Sequence, residues 1–244
     1  RDIYDQHAAK NNDFGYERRG ILKLFKTEAG LKACHAEAEW VRQSGQTAES
    51  LDLQGLKRFL PDISHRAIGG ILYSGDGHLD PAAFVRREAA ELGKMGVEMV
   101  TDCRIDTVRG RSSRIEALGD IQADQFVLAA GSWTPELARR AGWQMSLVPA
   151  KGYSLTFSKP AGSPNIPLLL AEAKVAVTPL PGRLRYAGTL ELTGFDDSLN
   201  ARRIAAIARA VPNYLPDIPK PDLAQAEAWC GFRPCTPDGL PMIG

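Results

Sequence analysis

Near one end of the chain, Trp229-Cys230-Gly231-Phe232-Arg233-Pro234-Cys235-Thr236-Pro237-Asp238-Gly239-Leu240-Pro241-Met242-Ile243-Gly244 holds residue types that could do chemistry at fixed spacing. Its aromatic and apolar start suits a short buried strand. One arginine, Arg233, stands between Phe232 and Pro234. In stiff apolar surroundings a guanidinium fork matches a carboxylate in bidentate fashion. The same arginine could equally pair with an internal Asp or Glu, and composition leaves both readings open. Thr236-Pro237-Asp238-Gly239 follows with proline second and glycine fourth, the preferences of a type I turn.

A second stretch of interest is Gln125-Phe126-Val127-Leu128-Ala129-Ala130, an apolar run of the kind buried on both faces as a strand. It leads into Gly131-Ser132-Trp133-Thr134-Pro135, with Ser132 or Thr134 as the cap of a following helix. Strand, glycine turn and helix N-terminus make a seat for a phosphate-bearing cofactor, and a side chain at Gly131 would hold the backbone away from it. An ordinary tight turn is the competing reading. His78 could serve acid-base chemistry or simply occupy a loop, while His35 and His65 are isolated. None of the three is assigned a role.

The elements that must position these stretches read as follows. Gly20 to Phe25 alternates as a strand, and Thr27 caps a helix running through Trp40 and Val41 to a stop near Gly45. Ser50 or Asp52 caps a short helix ending before Pro61. Asp80-Pro81 starts a helix with Phe84, Val85, Ala89 and Leu92 on one face, ending at Gly93 or Gly96. Val97 to Val100 is a short strand, and a hairpin-like passage runs from Arg104 to Ala117. Strands follow at Met145 to Val148 and Lys151 to Phe157, with Tyr153, Leu155 and Phe157 on one face and Ser154 and Thr156 on the other. Ala173 to Pro179 and Leu184 to Thr189 continue an antiparallel sheet, and a helix from Asn200 to Ala210 is stopped by Pro212.

Composition sets the class. The 244 residues are 44% hydrophobic and 24% charged with a formal net charge of +1, which fits a globular chain and argues against nucleic acid or an anionic membrane as an obligatory partner. No apolar run approaches a membrane span and no signal peptide is visible. The four cysteines lack metal-type spacing, so no metal is expected and reduced thiols in a cytoplasmic protein are the default.

G-x-R-P-x-T-P-D-G-x-P-x-I-G resembles the C-terminal signature of the FAD-dependent amino-acid oxidase (DAO) superfamily. Asp76-Gly77-His78-Leu79-Asp80-Pro81-Ala82-Ala83-Phe84 and Val127-Leu128-Ala129-Ala130-Gly131-Ser132-Trp133-Thr134-Pro135 resemble the same superfamily. Pro149-Ala150-Lys151-Gly152-Tyr153-Ser154-Leu155-Thr156 is close to the form typical of bacterial D-amino-acid dehydrogenases. The resemblance implies FAD as cofactor, with Ala130, Gly131, Ser132, Trp133, Gly231, Asp238 and Gly239 close to it. It implies Arg233 as the catalytic, carboxylate-holding residue, with Tyr153 at the pocket. The oxidases carry a carboxylate-binding tyrosine on the strand corresponding to Lys174 to Val177. No tyrosine stands there, and Lys174 or a backbone group is the substitute.

The implied fold class is α/β (α+β mixed), with part of an FAD-binding Rossmann-like lobe and an antiparallel-sheet substrate lobe, discontinuous in sequence. Residues 1–70 and 143–230 are assigned to the substrate lobe, and 71–142 and 231–244 to the FAD-binding lobe. The implied reaction is oxidative deamination of D-amino acids to 2-oxo acids and ammonia. The alternatives are a glycine or sarcosine-type oxidase using oxygen, and a catalytically silent fragment. An amino acid, as a small-molecule substrate, is expected and a quinone is a candidate electron acceptor, in the cytoplasm or peripherally at the inner face of a membrane. The chain starts on Arg1, ends at Gly244 directly after the motif, and lacks the G-x-G-x-x-G fingerprint of a nucleotide-binding βαβ unit. It reads as an internal portion of a longer flavoenzyme, inactive alone.

Overall fold

A computed structural model describes residues 2–111 and 114–243. Arg1, Ser112 and Ser113 of the hairpin-like passage, and Gly244 of the C-terminal motif lie outside the described residues. In chain order the elements are α1 (Asp2–Lys10), β1 (Ile21–Phe25), α2 (Glu28–Gln43), β2 (Glu49–Leu51), α3 (Leu53–Leu56), β3 (Gly69–Tyr73), α4 (Pro81–Lys94), β4 (Val108–Arg111), β5 (Arg114–Leu118) and β6 (Ile121–Gln122). A 3-10 turn (Gly131–Trp133) then leads into α5 (Thr134–Arg140), followed by β7 (Val148–Ser158), β8 (Leu168–Leu170), β9 (Val175–Leu180), β10 (Arg183–Glu191), α6 (Ala201–Ala210) and β11 (Glu227–Cys235). The fold is mixed α/β. Two compact units are interleaved along the chain.

Unit 1 comprises residues up to Gly96, Tyr153–Thr189 and Leu199–Trp229. Its strands run in the order β7-β10-β9-β8-β1-β3-β2. β1 is antiparallel to β3 but parallel to β8, so the sheet is mixed rather than purely antiparallel. Strict alternation makes one face apolar: Leu22, Leu24, Val175, Val177, Leu184 and Tyr186 are each at most 2% exposed. Gly188, on that face, lies against Ile207 of α6, whose Ile204, Ile207 and Ala208 are buried.

Local capping sets the helix starts. Thr27 Oγ1 accepts from Gly30 N–H at 3.1 Å, Asp52 Oδ1 from Gly55 N–H at 2.7 Å, Asp80 Oδ1 from Ala82 N–H at 3.0 Å, and Asn200 Oδ1 from Arg202 N–H at 3.1 Å. The second oxygen of Asp80, a residue only 4% exposed, accepts from Arg183. Helix α4 follows its cap as expected, but its apolar face does not become core: no residue in it is buried, and Val85 and Leu92 are 65% and 42% exposed. Phe84 is the exception in kind, meeting Phe14 and Tyr4 edge-on at 5.1 and 5.2 Å.

Unit 2 comprises Val97–Gly152, Leu190–Ser198 and the residues from Cys230 onward. It holds the β4-β5-β6 antiparallel sheet, helix α5, and the adjoining parts of β7 and β11. The expected strands at 97–100 and 125–130 do not form. Both segments lack a ladder partner among the described residues, and a run can be buried on both faces only between neighbouring strands. Val127 accordingly stands 88% exposed. Similarly, β7 begins at Val148, so residues 145–147 are outside it. Trp229, expected in a buried strand, is 59% exposed on β11.

Candidate active site

The C-terminal strand and the glycine turn are fastened together inside unit 2. Ser132, 2% exposed, donates from Oγ to the carbonyl of Phe232 at 3.1 Å. Neither Ser132 nor Thr134 caps α5, because Ser132 is taken by this tertiary contact and the helix starts through the 3-10 turn instead. Gly131 sits at φ +53, and a Cβ built there would meet nothing within 4 Å. The turn is therefore open on that side. Ala130 precedes it, and Trp133 closes it with its indole half exposed.

Around that turn lies an aromatic group. Trp133 stacks on Phe195 at 5.2 Å with 17° between the planes, and Phe232 meets the two edge-on at 6.0 and 5.4 Å. Successive residues of a strand point to opposite faces, so Arg233 leaves the face on which Phe232 packs. On its own face it lies against Gly152 of β7: a Cβ there would stand 3.5 Å from Arg233 Nε and Nη2. Larger side chains at 152 would push the guanidinium off the strand. Among the described residues Arg233 makes no ion pair with a carboxylate, and it is exposed. Its fork is available to an external anion.

Beyond Arg233 the motif closes as a turn. Gly239 N–H donates to Thr236 O at 3.3 Å, Leu240 N–H to Asp238 Oδ1 at 3.0 Å, and Thr236 Oγ1 to Leu240 O at 2.8 Å. The Leu240 amide holds the Asp238 carboxyl below the usual carboxylate range. Gly239 takes φ +75, the left-handed backbone its turn position requires. Gly231 lies two residues before Arg233 on β11.

An open cavity of about 1230 Å³ in unit 2 is lined by the 126–129 segment, Gly131, Thr134, and residues 234–236 and 239–243. Its walls are largely apolar, carrying Phe126, Leu128, Leu137, Trp143, Leu147 and Met242. A glycine-opened turn beside a wide apolar trough fits the planar, mainly apolar part of a flavin nucleotide. No pyrophosphate-cradling glycine fingerprint is present in the 244 residues. Among the described residues no group of three or more His, Cys, Asp or Glu could hold a metal.

Two expected substrate residues belong to unit 1 and are placed differently. Tyr153 is 2% exposed on β7, on the face it shares with Phe157, whose ring meets Tyr186 edge-on at 4.9 Å. That burial makes it core. Lys174 is exposed in the turn before β9, at φ +51. His78, left without a role, is half-buried with Nδ1 unpartnered among the described residues; burial lowers its pKa.

Lys151 was not foreseen. It is 1% exposed and its Nζ reaches Asp196 Oδ2 at 3.3 Å. Asp196 also accepts from Ser198 Oγ and N–H at 3.0 Å each, and these contacts together with Lys151 lower its pKa. The pair holds the loop that carries Phe195 against Trp133. A lysine inside a motif otherwise of small and apolar residues was the signal available in the sequence.

The family model described as FAD dependent oxidoreductase (DAO) matches residues 1–244. A D-amino acid dehydrogenase of Xanthobacter autotrophicus is 35% identical over 256 residues, covering 100% of this chain and 60% of its own length. One of Vibrio atlanticus is 31% identical over 249 residues, covering 98% of this chain and 59% of its own. The chain thus spans about three-fifths of the length of the curated relatives it matches. Glycine oxidase from Geobacillus kaustophilus superposes with a TM-score of 0.84 at 22% identity, over 99% of this chain and 65% of that one. L-Proline dehydrogenase from P. horikoshii gives 0.83 at 17%, over 100% and 67%. At these identities the superpositions speak to fold alone.

Proposed function

Because the chain belongs to the DAO family of FAD dependent oxidoreductases, we propose that it supplies the substrate-gripping portion of an enzyme that deaminates D-amino acids oxidatively. FAD is the cofactor of that family, and bound here it would supply an acceptor for the hydrogen and electron pair leaving the substrate Cα. The residues that would hold it here are Ala130, Gly131, Ser132, Trp133, Gly231, Asp238 and Gly239. The observation that carries the proposal is Arg233: an exposed guanidinium lying against Gly152, with no carboxylate partner among the described residues.

Arg233 grips the amino acid by its carboxylate, and the fork fixes the plane of that group. Holding the carboxylate in one orientation aims the Cα–H bond, which is the entropic share of catalysis a protein gives to a cofactor reaction. Ser132 keeps the strand of Arg233 at a constant distance from the glycine turn. Loss of the Cα hydrogen with its electron pair, and of one proton from the amino nitrogen to solvent, leaves an imino acid, which water hydrolyses to a 2-oxo acid and ammonia. No side-chain base is needed for that sequence. The electron acceptor assigned is a quinone.

Arg233→Ala in the complete, FAD-loaded protein tests this. Loss of a charge-assisted bidentate contact worth about 1.5–3 kcal/mol should raise KM for D-alanine by roughly ten- to a hundredfold. An unchanged KM removes Arg233 from the substrate site. The second reading is a glycine oxidase type passing electrons to oxygen. Hydrogen peroxide released in step with substrate consumed would establish it over the dehydrogenase.

A further inference from the structure

Helix α2 lays a polar stripe along the edge of the sheet in unit 1. His35 and Arg42 are seven residues apart on that helix, so they lie on one face. β2 is the edge strand beside it, and its Ser50 pairs with Ile71 of β3. Directly opposed residues share a face, and Ile71 packs in the core with Cys34 and Ala38 of α2. Ser50 therefore points toward the helix, and its hydroxyl arrives between the two polar side chains. Ser50 Oγ stands 3.2 Å from His35 Nδ1 and 3.2 Å from Arg42 Nη2. His35 is isolated in the sequence but not in the fold.

These three groups supply what a serine nucleophile lacks by itself. Arg42 is held in place, with Nε donating to Ala48 O at 2.7 Å and Nη1 to Glu39 Oε2 at 3.1 Å. A guanidinium has only donors, so toward Ser50 it gives a hydrogen to an oxygen lone pair. The serine hydrogen is left for His35, whose Nδ1 accepts it in the tautomer protonated at Nε2. Loss of that hydrogen puts negative charge on Oγ beside a fixed cation, which favours the charged form. Ser50 is exposed, so the oxygen is open to a reactant. Next to it is a cavity of about 530 Å³ within unit 1, lined by Leu31, His35, Ser50, Leu51, Arg58 and Ile68 among others. Leu31, Leu51 and Ile68 make an apolar wall, while Arg58 is paired with Glu49 at 2.8 Å. An apolar wall with a few convergent polar groups is the pattern of a small-molecule site. None of the residues assigned above to substrate or cofactor lines it.

We propose that Ser50 and His35 form a nucleophile–base pair that cleaves small carboxylic esters, an activity separate from amino-acid oxidation. Oγ adds to the ester carbonyl carbon while its hydrogen passes to Nδ1. The carbon–oxygen bond to the alcohol then breaks, and Nδ1 returns the proton to the leaving oxygen. Water repeats the sequence on the acyl-serine, which releases the acid and restores the hydroxyl. Each cycle consumes one ester and one water. Arg42 steadies the serine oxygen throughout, and the apolar wall receives the acyl chain.

A fluorophosphonate probe and p-nitrophenyl acetate test this in the complete, FAD-loaded protein. The probe should label Ser50, read by mass spectrometry of the peptide that carries it, and the ester should release p-nitrophenol in a burst followed by slow turnover. Ser50→Ala should remove both the label and the burst. His35→Gln, with the serine intact, should slow labelling by about a hundredfold. Both changes lie on the surface, and an unmoved thermal midpoint for each separates lost chemistry from lost fold. D-alanine oxidation should be the same in the parent and both variants. A parent protein with neither label nor burst overturns the proposal. So does a label on another residue, a burst that survives Ser50→Ala, or labelling as fast in His35→Gln as in the parent. Each of those results leaves the amino-acid reaction standing, because the two sites share no residue.

Discussion

The two units spend their apolar residues in opposite ways. In unit 1 the side chains of Leu22, Leu24, Leu56, Leu168, Leu170 and Ile207 are fully buried, and the sheet face under α6 is closed. In unit 2 the buried residues are small or polar, such as Ala117, Ala138, Ala150, Ser132 and Lys151, while Val127 and Ile243 are 88% exposed and Leu240 64%. Apolar surface left open over such an area marks a place where something binds. Unit 1 therefore holds most of the buried apolar core of the described residues, and unit 2 carries most of the residues assigned to chemistry. Stability and function are separable here, and mutations should report on one or the other.

The sharpest way to break that comparison is a matched pair of truncations. Leu24→Ala in unit 1 should cost about 2–5 kcal/mol in urea unfolding, whereas Val127→Ala in unit 2 should stay within about 0.5 kcal/mol. Equal costs would end the distinction. Next comes Asp80→Ala, which removes both the cap of α4 and the partner of Arg183. A loss of about 2 kcal/mol is expected, less than for a fully buried pair because Arg183 is partly solvated. The charge swap Asp80→Arg with Arg183→Glu should fail to restore stability, since the cap would still be missing.

Glycines sharpen the contrast further. A Cβ at Gly70 would stand 2.9 Å from the Lys23 carbonyl and 3.0 Å from a Leu56 methyl. Gly70→Ala must therefore shift the β1–β3 ladder. Gly131→Ala meets no atom and should cost only the left-handed backbone penalty of about 1 kcal/mol, while weakening FAD retention more than stability. Flavin absorbance after gel filtration, set beside a melting curve, measures both effects at once.

The smallest effect concerns pH. Burial depresses the pKa of His78, against the opposing influence of Glu17 and the Pro179 backbone and with help from Arg19 and Lys159. A depressed folded pKa means that stability is complete above the unfolded value of about 6.5 and is lost as pH falls through the folded one. His78→Gln should flatten the stability curve as pH falls below about 6.5. An unaltered slope would place the acid sensitivity elsewhere.

What could be read from the residues depended on how local their interactions are. Thr27 and Asp80 were legible as caps, and Asp52 as one of two candidates, because each bonds an amide two or three positions ahead. The strands of unit 1 were legible because alternation and burial agree there. Residues 125–130 were not, since their apolar character says only that they would be buried if neighbours flanked them. Ser132 was misassigned for the complementary reason: its hydroxyl is spent on a carbonyl far along the chain. For the site, the arginine of the C-terminal motif was visible as an anion grip, but Tyr153 could not be told from core on an alternating strand.

The hydrogen bond from Ser132 to the Phe232 carbonyl joins positions 100 residues apart. Contacts of such sequence separation are made late, because a long loop must close before they repay its entropy. During synthesis the glycine turn leaves the ribosome well before β11 exists to receive its hydroxyl. The placing of β11, and of Arg233 on it, against the glycine turn is thus among the last contacts to mature.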